Sequence, residues 1–366
     1  MIFFPDPTTR TVGLVINEHV FRLMEVRRGP FYHRKLRLQR YAETRIPDGI
    51  VVAGVFKKPD EAAARLKSLL KKAFGRMKTC GVVVSLPETR TFIKVINVTK
   101  PATLEEVPAA VSAEASLHIP VPIQDLYLDW QPVGDAKAVP VGKPMSVAIA
   151  AAPKEIVDSY AATLEMAGLI PVAFEIEAQS IVRCVIPIHD DPAKSYGIID
   201  FGATRSSFIV YDHGTIQFTV SIPLSGDMLT ERIGAALNVS PEEAERTKRQ
   251  CGVDAHKCGT QIWEIMQPFL AEISERIQNA MEFYRDHFTN GRALDELLLC
   301  GGGANMARMD ELLTELLKIN VRKADPQVNL DAKHSNLPVE VMLSSTTAVG
   351  LALRQPLSKG KSQKKL

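Results

Sequence analysis

The chain lacks long apolar runs and has few cysteines, and each absence excludes a class of protein. No apolar stretch in its 366 residues approaches the length that spans a bilayer, so the sequence predicts no transmembrane helix. The five cysteines are scattered and odd in number, which excludes a disulfide-stapled scaffold and is typical of reduced thiols. The opening stretch 1–5 is too short for a signal peptide and lacks its basic start. We therefore expect a cytoplasmic protein.

An excess of charge of one sign is also missing. The 44 basic and 42 acidic residues give a formal net charge of +2, which does not point to a nucleic-acid partner. One local run, Arg27 to Arg40, interleaves basic and aromatic residues, but its alternation favours a half-exposed strand over a nucleic-acid face. A hydrophobic content of 46% and this length predict a folded chain of two domains.

One short motif raises the question of a metal site. Cys251, His256 and Cys258 lie close together in the chain, but their spacing matches no standard zinc pattern. A fourth ligand is also lacking nearby. A solvated loop is the favoured interpretation.

The stretch Gly197 to Gly214 is the most informative in the chain. It predicts a hairpin whose first, apolar strand ends in Asp200 and whose turn is rich in glycine and small hydroxyl residues. Such a turn can cradle a phosphate, because Gly202 lets the backbone approach closely and Asp200 is placed to hold a hydrated Mg²⁺. Three hydroxyls can also donate to phosphoryl oxygens, those of Thr204, Ser206 and Ser207. On these residues alone, an ordinary hairpin with a polar turn is the favoured interpretation.

Two later stretches add to the phosphate interpretation. A buried strand from Leu297 runs into a triple glycine, and the apolar spacing of Met306 to Leu317 then predicts a helix. A strand, a glycine turn and a helix in that order often contact nucleotides. Upstream, a helix begins at Ser240, and its Glu245 and Lys248 share one face because they are three residues apart.

These motifs resemble the actin-like ATPase family, whose phosphate hairpin is Asp-x-Gly-x-Thr and whose adenosine loop is Gly-Gly-Gly-Ala. The resemblance implies an α/β, actin-like (ribonuclease H-like) two-domain fold, with a small αβ subdomain inserted in the first domain. It also implies bound ATP or ADP with Mg²⁺, the metal being held at Asp200. The implied nucleotide contacts are Asp200, Gly202, Ala203, Thr204, Glu245, Lys248, Gly301, Gly302, Gly303 and Ala304.

Further phrases resemble the PilM family of type IV pilus assembly proteins, less closely FtsA, and more distantly the actin/Hsp70 superfamily. The order and spacing of these phrases match the family, and the resemblance extends from about Thr11 to Arg354. The phrases are Val84-Ser-Leu-Pro87, Ile119-Pro-Val-Pro122, Leu128-Asp-Trp-Gln131, the stretch Ala152 to Tyr160, and Ala167-Gly-Leu-x-Pro171.

The resemblance divides the chain into domains. Residues 1–190 would form domain I, with the inserted subdomain at about 88–169, and residues 191–345 would form domain II. Residues 346–354 would be a hinge helix that returns to domain I. The tail 355–366 carries four lysines without an apolar face, so we expect a disordered tail rather than a membrane-inserting helix of the FtsA kind.

The resemblance also implies a function. The protein would be a scaffold at the cytoplasmic face of the inner membrane, reaching the membrane only through partners and binding no nucleic acid. Its main partner would be a PilN-like inner-membrane protein, whose cytoplasmic N-terminal peptide would lie extended between the first domain and the inserted subdomain. Other inner-membrane platform proteins of the pilus would also bind. Two alternatives stay open: an active ATPase that drives assembly, and an FtsA-like filament.

The first phosphate loop departs from the family pattern. Aligned with it, the magnesium-binding Asp is Val15, the turn Gly is Asn17, and two small hydroxyl residues are Glu18 and His19. Val15 cannot hold a metal's water shell, and we expect the Glu18 carboxylate to face and repel the phosphates. The sequence therefore favours a nucleotide-binding pseudo-ATPase over a working enzyme.

Two carboxylates near the first hinge helix are candidates for orienting an attacking water. The strand Pro171 to Glu177 carries Glu175 and Glu177, and the family places a carboxylate near the nucleotide at this point. Asp200 is the other catalytic candidate. Solvated carboxylates at a strand edge are the alternative interpretation.

Overall fold

The computed structural model describes residues 11–28, 36–75, 80–191, 193–288, 290–331 and 337–354. The basic tail lies outside these ranges, and within them the side chains of His256 and Cys258 are not described, so the predictions made for them stay untested. Cys184 and Cys300 are buried free thiols as expected, whereas Cys251 is disulfide-bonded, so the expectation of reduced thiols is wrong at that position. None of the described helices combines the length and apolar character needed to cross a membrane.

The secondary structure follows the predicted order. The chain begins with β1 (Thr11–Ile16), β2 (Val20–Arg28), β3 (Leu36–Arg45), β4 (Val51–Val52), β5 (Val55–Phe56), α1 (Pro59–Phe74) and β6 (Cys80–Leu86). Next come β7 (Phe92–Thr99), α2 (Val107–Ala115), β8 (Leu126–Pro132), β9 (Pro144–Pro153), α3 (Lys154–Met166), β10 (Leu169–Ile176) and α4 (Glu177–Val185). The rest forms β11 (Tyr196–Phe201), β12 (Ser206–Asp212), β13 (Thr215–Ile222), α5 (Gly226–Leu237), α6 (Pro241–Cys251), α7 (Ala255–His287), β14 (Glu296–Cys300), α8 (Met309–Leu317), β15 (Val321–Lys323), α9 (Val339–Leu343) and α10 (Thr346–Leu353).

Two sheets repeat one strand order. The first is β3-β2-β1-β6-β10, and the second contains β13-β12-β11-β14-β15. In each sheet the first three strands pair antiparallel and the last three pair parallel. This duplication confirms the predicted α/β fold. Because the carboxyl ends of parallel strands are where ligands bind in such sheets, it also indicates where to look for the site.

The inserted strands continue the second sheet. β13 pairs with β7 at Phe218 and Lys94, and β9 and β8 follow, which makes eight strands in all. The insertion has a small core of its own, in which α2 packs on the sheet. Helix α3, which the sequence prediction included in the insertion, instead buries Ile156, Tyr160 and Leu164 in the core of the first half. We therefore propose that the insertion ends at β9.

Helix α10 crosses back to the first half and packs on β1 and α4. A Cβ at Gly350 would lie 1.8 Å from the Ser180 carbonyl oxygen, so only glycine permits this crossing of α10 and α4. At β1, a Cβ at Gly13 would lie 2.6 Å from the Ala348 carbonyl oxygen. Contact this close between backbones fixes α10 against both elements.

We predict that Gly350→Ala destabilises the protein and that Gly234→Ala, in α5, does not. The first adds a methyl group where no space exists, and overpacking of this kind costs about 1–3 kcal/mol or more. At Gly234 the nearest atoms to the new Cβ are 3.5 Å away, so the change gains helix propensity without a clash. Urea unfolding of both variants tests this, and equal midpoints would contradict it.

Candidate functional site

The predicted phosphate turn lies between β11 and β12. Gly202 N donates to the Arg205 carbonyl at 3.0 Å, and a Cβ at Gly202 would lie 2.5 Å from that oxygen, so the turn requires glycine. The N-terminus of α5 rests against the turn, where Gly226 N donates to Gly202 O (3.0 Å) and Asp227 N to Ala203 O (2.9 Å). The first amides of α5 are therefore already hydrogen-bonded within the protein.

Glu245 and Lys248 meet at this same place. The buried Lys248 ammonium contacts Glu245 Oε2 (2.6 Å), the Gly226 carbonyl (2.8 Å) and Thr230 Oγ1 (2.7 Å). These three contacts use its three donors. The second Glu245 oxygen accepts from Arg249 at 2.6 Å. The pair thus stabilises the packing of α6 on α5.

The three consecutive glycines have different environments. Gly301 has a φ of +82°, and a Cβ there would lie 2.4 Å from Asp200 Oδ1, while one at Gly303 would lie 2.2 Å from the Phe201 ring. Gly301 and Gly303 both pack against the end of β11, which leaves no room for a side chain at either position. At Gly302, which is exposed, no described atom lies within 4 Å of the position a Cβ would take. Its backbone is therefore open to close approach by a ligand, which suits the adenosine end of a nucleotide.

The structure brings the predicted nucleotide contacts to one side of the cleft between the halves. The hydrogen bonds from α5 and the contact of Gly301 with Asp200 join them in one continuous group. Its members are Asp200, Gly202, Ala203, Thr204, Glu245, Lys248, Gly301, Gly302, Gly303 and Ala304.

The first turn, between β1 and β2, is closed by its own side chain. Asn17 Oδ1 accepts from the backbone N–H of His19 (3.0 Å) and of Val20 (2.7 Å). Those amides are the donors that a phosphate loop would offer to its ligand. A phosphate bound here would have to displace the Asn17 side chain.

The neighbouring side chains of the first turn do not face a phosphate as expected. The Glu18 carboxylate accepts from the Ala53 backbone N–H at 2.8 Å, so it is directed at the β4–β5 turn. His19 Nε2 lies 2.7 Å from Asp227 Oδ2, at the first turn of α5. Glu18 is therefore bonded within the first half, and it is His19 that makes a contact across the cleft.

Three carboxylates from different strand ends act on one another electrostatically in the cleft. Glu88 follows β6, Glu177 begins α4 and Asp200 is the next-to-last residue of β11. Desolvation raises the pKa of Glu177 to about 8, that of Glu88 to about 7 and that of Asp200 to about 6. Arg205 lowers all three pKa values without reversing the shifts, because burial has the larger effect.

Glu88 and Arg205 are site residues that the sequence analysis missed. Each carries a buried atom that makes no hydrogen bond among the described residues, Glu88 Oε1 and Arg205 Nη1. The hydroxyls of Ser207 and Thr219 lie close enough to Glu88 to lower its pKa. Buried polar groups without partners are rare and mark places where a ligand or water binds. The available signal was the position of Glu88 just after a buried strand, at the edge where parallel strands end.

Glu175 lies apart from the carboxylate group. Its buried side chain accepts two hydrogen bonds from Arg183, at 2.8 and 2.9 Å, and a third from Arg354. Arg183 also donates to the Gly350 carbonyl at 2.9 Å. Glu175 therefore ties β10 to the two crossing helices, and of the two predicted carboxylates it is Glu177 that reaches the cleft.

A groove separates the first half from the insertion. Its cavity volume is about 70 Å³, open to solvent, between β10 and α3 on one side and β8 and β9 on the other. Its lining is largely apolar, with Leu86, Tyr127, Ala150, Val157 and Phe174 among its members, and it also contains the polar residues Asp129, Glu175 and Gln179. This groove lies where the sequence analysis expected a peptide.

The duplicated sheets and the glycine-rich turns at the cleft define the class of actin-like proteins. Solved structures agree on the fold. EutJ of Carboxydothermus hydrogenoformans has a TM-score of 0.55 at 14% identity, covering 96% of this chain and 90% of its own. MreB5 of Spiroplasma citri bound to ADP has a TM-score of 0.51 at 12% identity, covering 94% and 95%.

The sequence comparison identifies the family within that class. The model of the type IV pilus assembly protein PilM matches residues 13–356, and the chain belongs to this family. A solved PilM–PilN type IV pilus biogenesis complex has a TM-score of 0.82 at 27% identity, covering 95% of this chain and 99% of its own. The cell division protein FtsA of Bacillus subtilis is 24% identical over 304 residues, which cover 75% of this chain and 68% of FtsA.

We predict that Gly302→Glu abolishes any binding of ADP or ATP measured by calorimetry. The new side chain would fill the open space beside the glycine backbone and bring a negative charge to it, without a clash inside the protein. Leu117→Glu, at a position 76% exposed on the insertion, is the matched control for charge. Unchanged affinity in Gly302→Glu would show that this loop does not contact nucleotide.

Proposed function

We propose that this protein is a cytoplasmic scaffold of type IV pilus assembly that binds the N-terminal cytoplasmic peptide of a PilN-like inner-membrane protein. It works at the cytoplasmic face of the inner membrane and reaches the membrane through that partner. The observation that carries the proposal is the apolar groove between the first half and the insertion. Similarity to a PilM solved in complex with PilN supports the choice of partner.

The chemistry of the groove suits an extended peptide. β10 is the last strand of the first sheet and β8 is the last of the second, so both present strand edges near the groove. An extended segment can bind such an edge through its backbone while its side chains enter apolar pockets. Phe174 and Tyr127 both line the groove, and the small residues Ala150 to Ala152 line it as well.

The cleft supports a role without efficient ATP hydrolysis. Phosphoryl transfer depends on positioned metal ions and donors around the terminal phosphate. Val15 offers no carboxylate to a metal, Asn17 occupies two amides of the first turn, and Lys248 is held by protein acceptors. Bound ATP or ADP would therefore act as a structural ligand of the hinge rather than as a substrate.

We predict that Ala150→Trp weakens binding of the partner peptide at least tenfold, a loss of about 1.4 kcal/mol or more. The indole would occupy the groove from the half-buried Ala150 position. Leu117→Trp adds the same group to the exposed turn after α2, in the same insertion, and should leave the affinity unchanged. Fluorescence anisotropy of a labelled synthetic PilN N-terminal peptide measures both, and equal affinities would refute the groove as the site.

We predict that the purified protein turns over Mg-ATP negligibly. Replacing Val15→Asp, Asn17→Gly, Glu18→Ser and His19→Ser together should raise turnover, because it restores a carboxylate and frees the turn amides. Phosphate release from both proteins is the measurement. Readily measurable hydrolysis by the unaltered protein that Asp200→Ala abolishes would instead establish an active ATPase.

A further inference from the structure

Helix α1 lies on the side of the first half that is turned away from the cleft. Its buried residues include Leu66 and Leu69, which share one core with Leu14 of β1. Val15 of β1 and Met24 of β2 belong instead to the core that continues into the second half. The other side of α1 is therefore an outer surface of the molecule.

The exposed side of α1 is basic from Arg65 to the end of the helix. The acidic residues Asp60 and Glu61 are confined to the first turn, where Glu61 pairs with Lys58 at 3.3 Å. Beyond that turn every ionisable side chain of the helix is positive and exposed. These side chains are Arg65, Lys67, Lys71 and Lys72. Among the described residues none of the four pairs with a carboxylate, so their charges are not compensated.

The β2–β3 hairpin adds positive charge at the C-terminal end of α1. The buried Glu25 carboxylate lies 2.6 Å from Arg27 Nε and 3.0 Å from Arg40 Nη1. One carboxylate and two guanidiniums leave a net charge of one, and the arginine side chains are about half exposed. The Arg40 guanidinium also lies over the Phe74 ring at 5.2 Å, at the last residue of α1. The hairpin arginines and the end of α1 therefore form one continuous surface.

This surface has a boundary at α3, which packs beside α1. The exposed charges of α3 are mostly acidic: Glu155, Asp158 and Glu165, with Lys154. Asp158 accepts from the Tyr127 hydroxyl at 3.1 Å, and Tyr127 lines the groove. The outer face of the first half thus has a positive side at α1 and a negative side next to the groove.

An anionic bilayer fits this distribution of charge. Lipid head groups attract lysine and arginine without demanding a fixed geometry, and each basic residue close to the bilayer strengthens binding about fivefold. The four side chains of α1 and the net charge of the hairpin arginines give five positive charges on one side of the molecule. No large apolar residue of α1 is exposed, so the contact is electrostatic and the helix does not insert.

We propose that a basic surface on α1 and the β2–β3 hairpin contacts the anionic head groups of the membrane. The basic surface consists of Arg27, Arg40, Arg65, Lys67, Lys71 and Lys72. Its setting rests on the proposed function, because the membrane-bound partner brings the protein to the bilayer and the basic surface then orients it. The contact is reversible and weakens when salt screens the charges. The acidic side of α3 turns away from the lipid.

The test is co-sedimentation of the full chain, without partner, with vesicles of phosphatidylethanolamine and phosphatidylglycerol at low salt. We expect binding that falls as salt is added and that is absent with phosphatidylcholine vesicles. Lys71→Glu with Lys72→Glu should weaken binding to the anionic vesicles at least tenfold, as should Arg65→Glu with Lys67→Glu in the middle of the helix. Two separate pairs keep the test valid if one of them fails to fold, which a thermal melt shows.

The matched control is Lys137→Glu with Lys143→Glu, which makes the same change in net charge at exposed positions of the insertion and should bind as the unaltered protein does. Every variant keeps the tail 355–366, so a difference between variants reports the basic surface and not the tail.

Three results would overturn the proposal. The first is a lack of binding of the unaltered protein to anionic vesicles, which would leave an acidic protein as the occupant of the basic surface. The second is equal binding by the α1 variants and the control. The third is equal binding to neutral vesicles. Affinity for the PilN peptide should be the same in all variants, so failure of the groove and failure of the basic surface are distinguishable.

Discussion

The crossing of α10 over α4 is the constraint on which the other features depend. The absence of a side chain at Gly350 lets the helices touch through their backbones, and Gly13 does the same where α10 meets β1. Helix α4 begins with Glu177, so the crossing also sets where that carboxylate enters the cleft. Arg183 of α4 and Arg354 after α10 both donate to Glu175, so the two crossing helices also hold the end of β10, which forms one wall of the groove. One close contact thus positions both candidate sites.

The nucleotide cleft and the groove beside the insertion differ in how many of their backbone hydrogen-bonding groups are already paired within the protein. In the cleft, Asn17 bonds the amides of the first turn, and the second turn accepts from the amides of α5. A phosphate must exchange these bonds for its own, so the net gain is small. At the groove, apolar walls adjoin strand edges, and a peptide that covers them gains both apolar burial and hydrogen bonds. This contrast favours a protein partner over a reacting nucleotide.

The choice between Glu175 and Glu177 illustrates the limit of pattern reasoning. In a continuous strand both side chains would point to the same face, because residues two apart do so. The strand in fact ends at Ile176, and Glu177 is already helical, which turns its carboxylate toward Asp200 while Glu175 stays with the arginines. Glu18 is a similar case. The position of Glu18 in the first phosphate loop predicted a carboxylate that faces the phosphates. In the structure that carboxylate instead accepts a hydrogen bond from the backbone N–H of Ala53, which is far away in sequence.

The sequence by itself determined the actin-like fold, the order of its elements, the two glycine-containing turns and the pairing of Glu245 with Lys248. These features depend on residues a few positions apart, on glycines at strand ends, and on the apolar period of each element. Only the tertiary structure decided that the inserted strands extend the second sheet, and that Asp200 acts electrostatically on Glu88 across the cleft. Those contacts join residues about a hundred positions apart, and no local pattern encodes which strand ends come together when the halves pack.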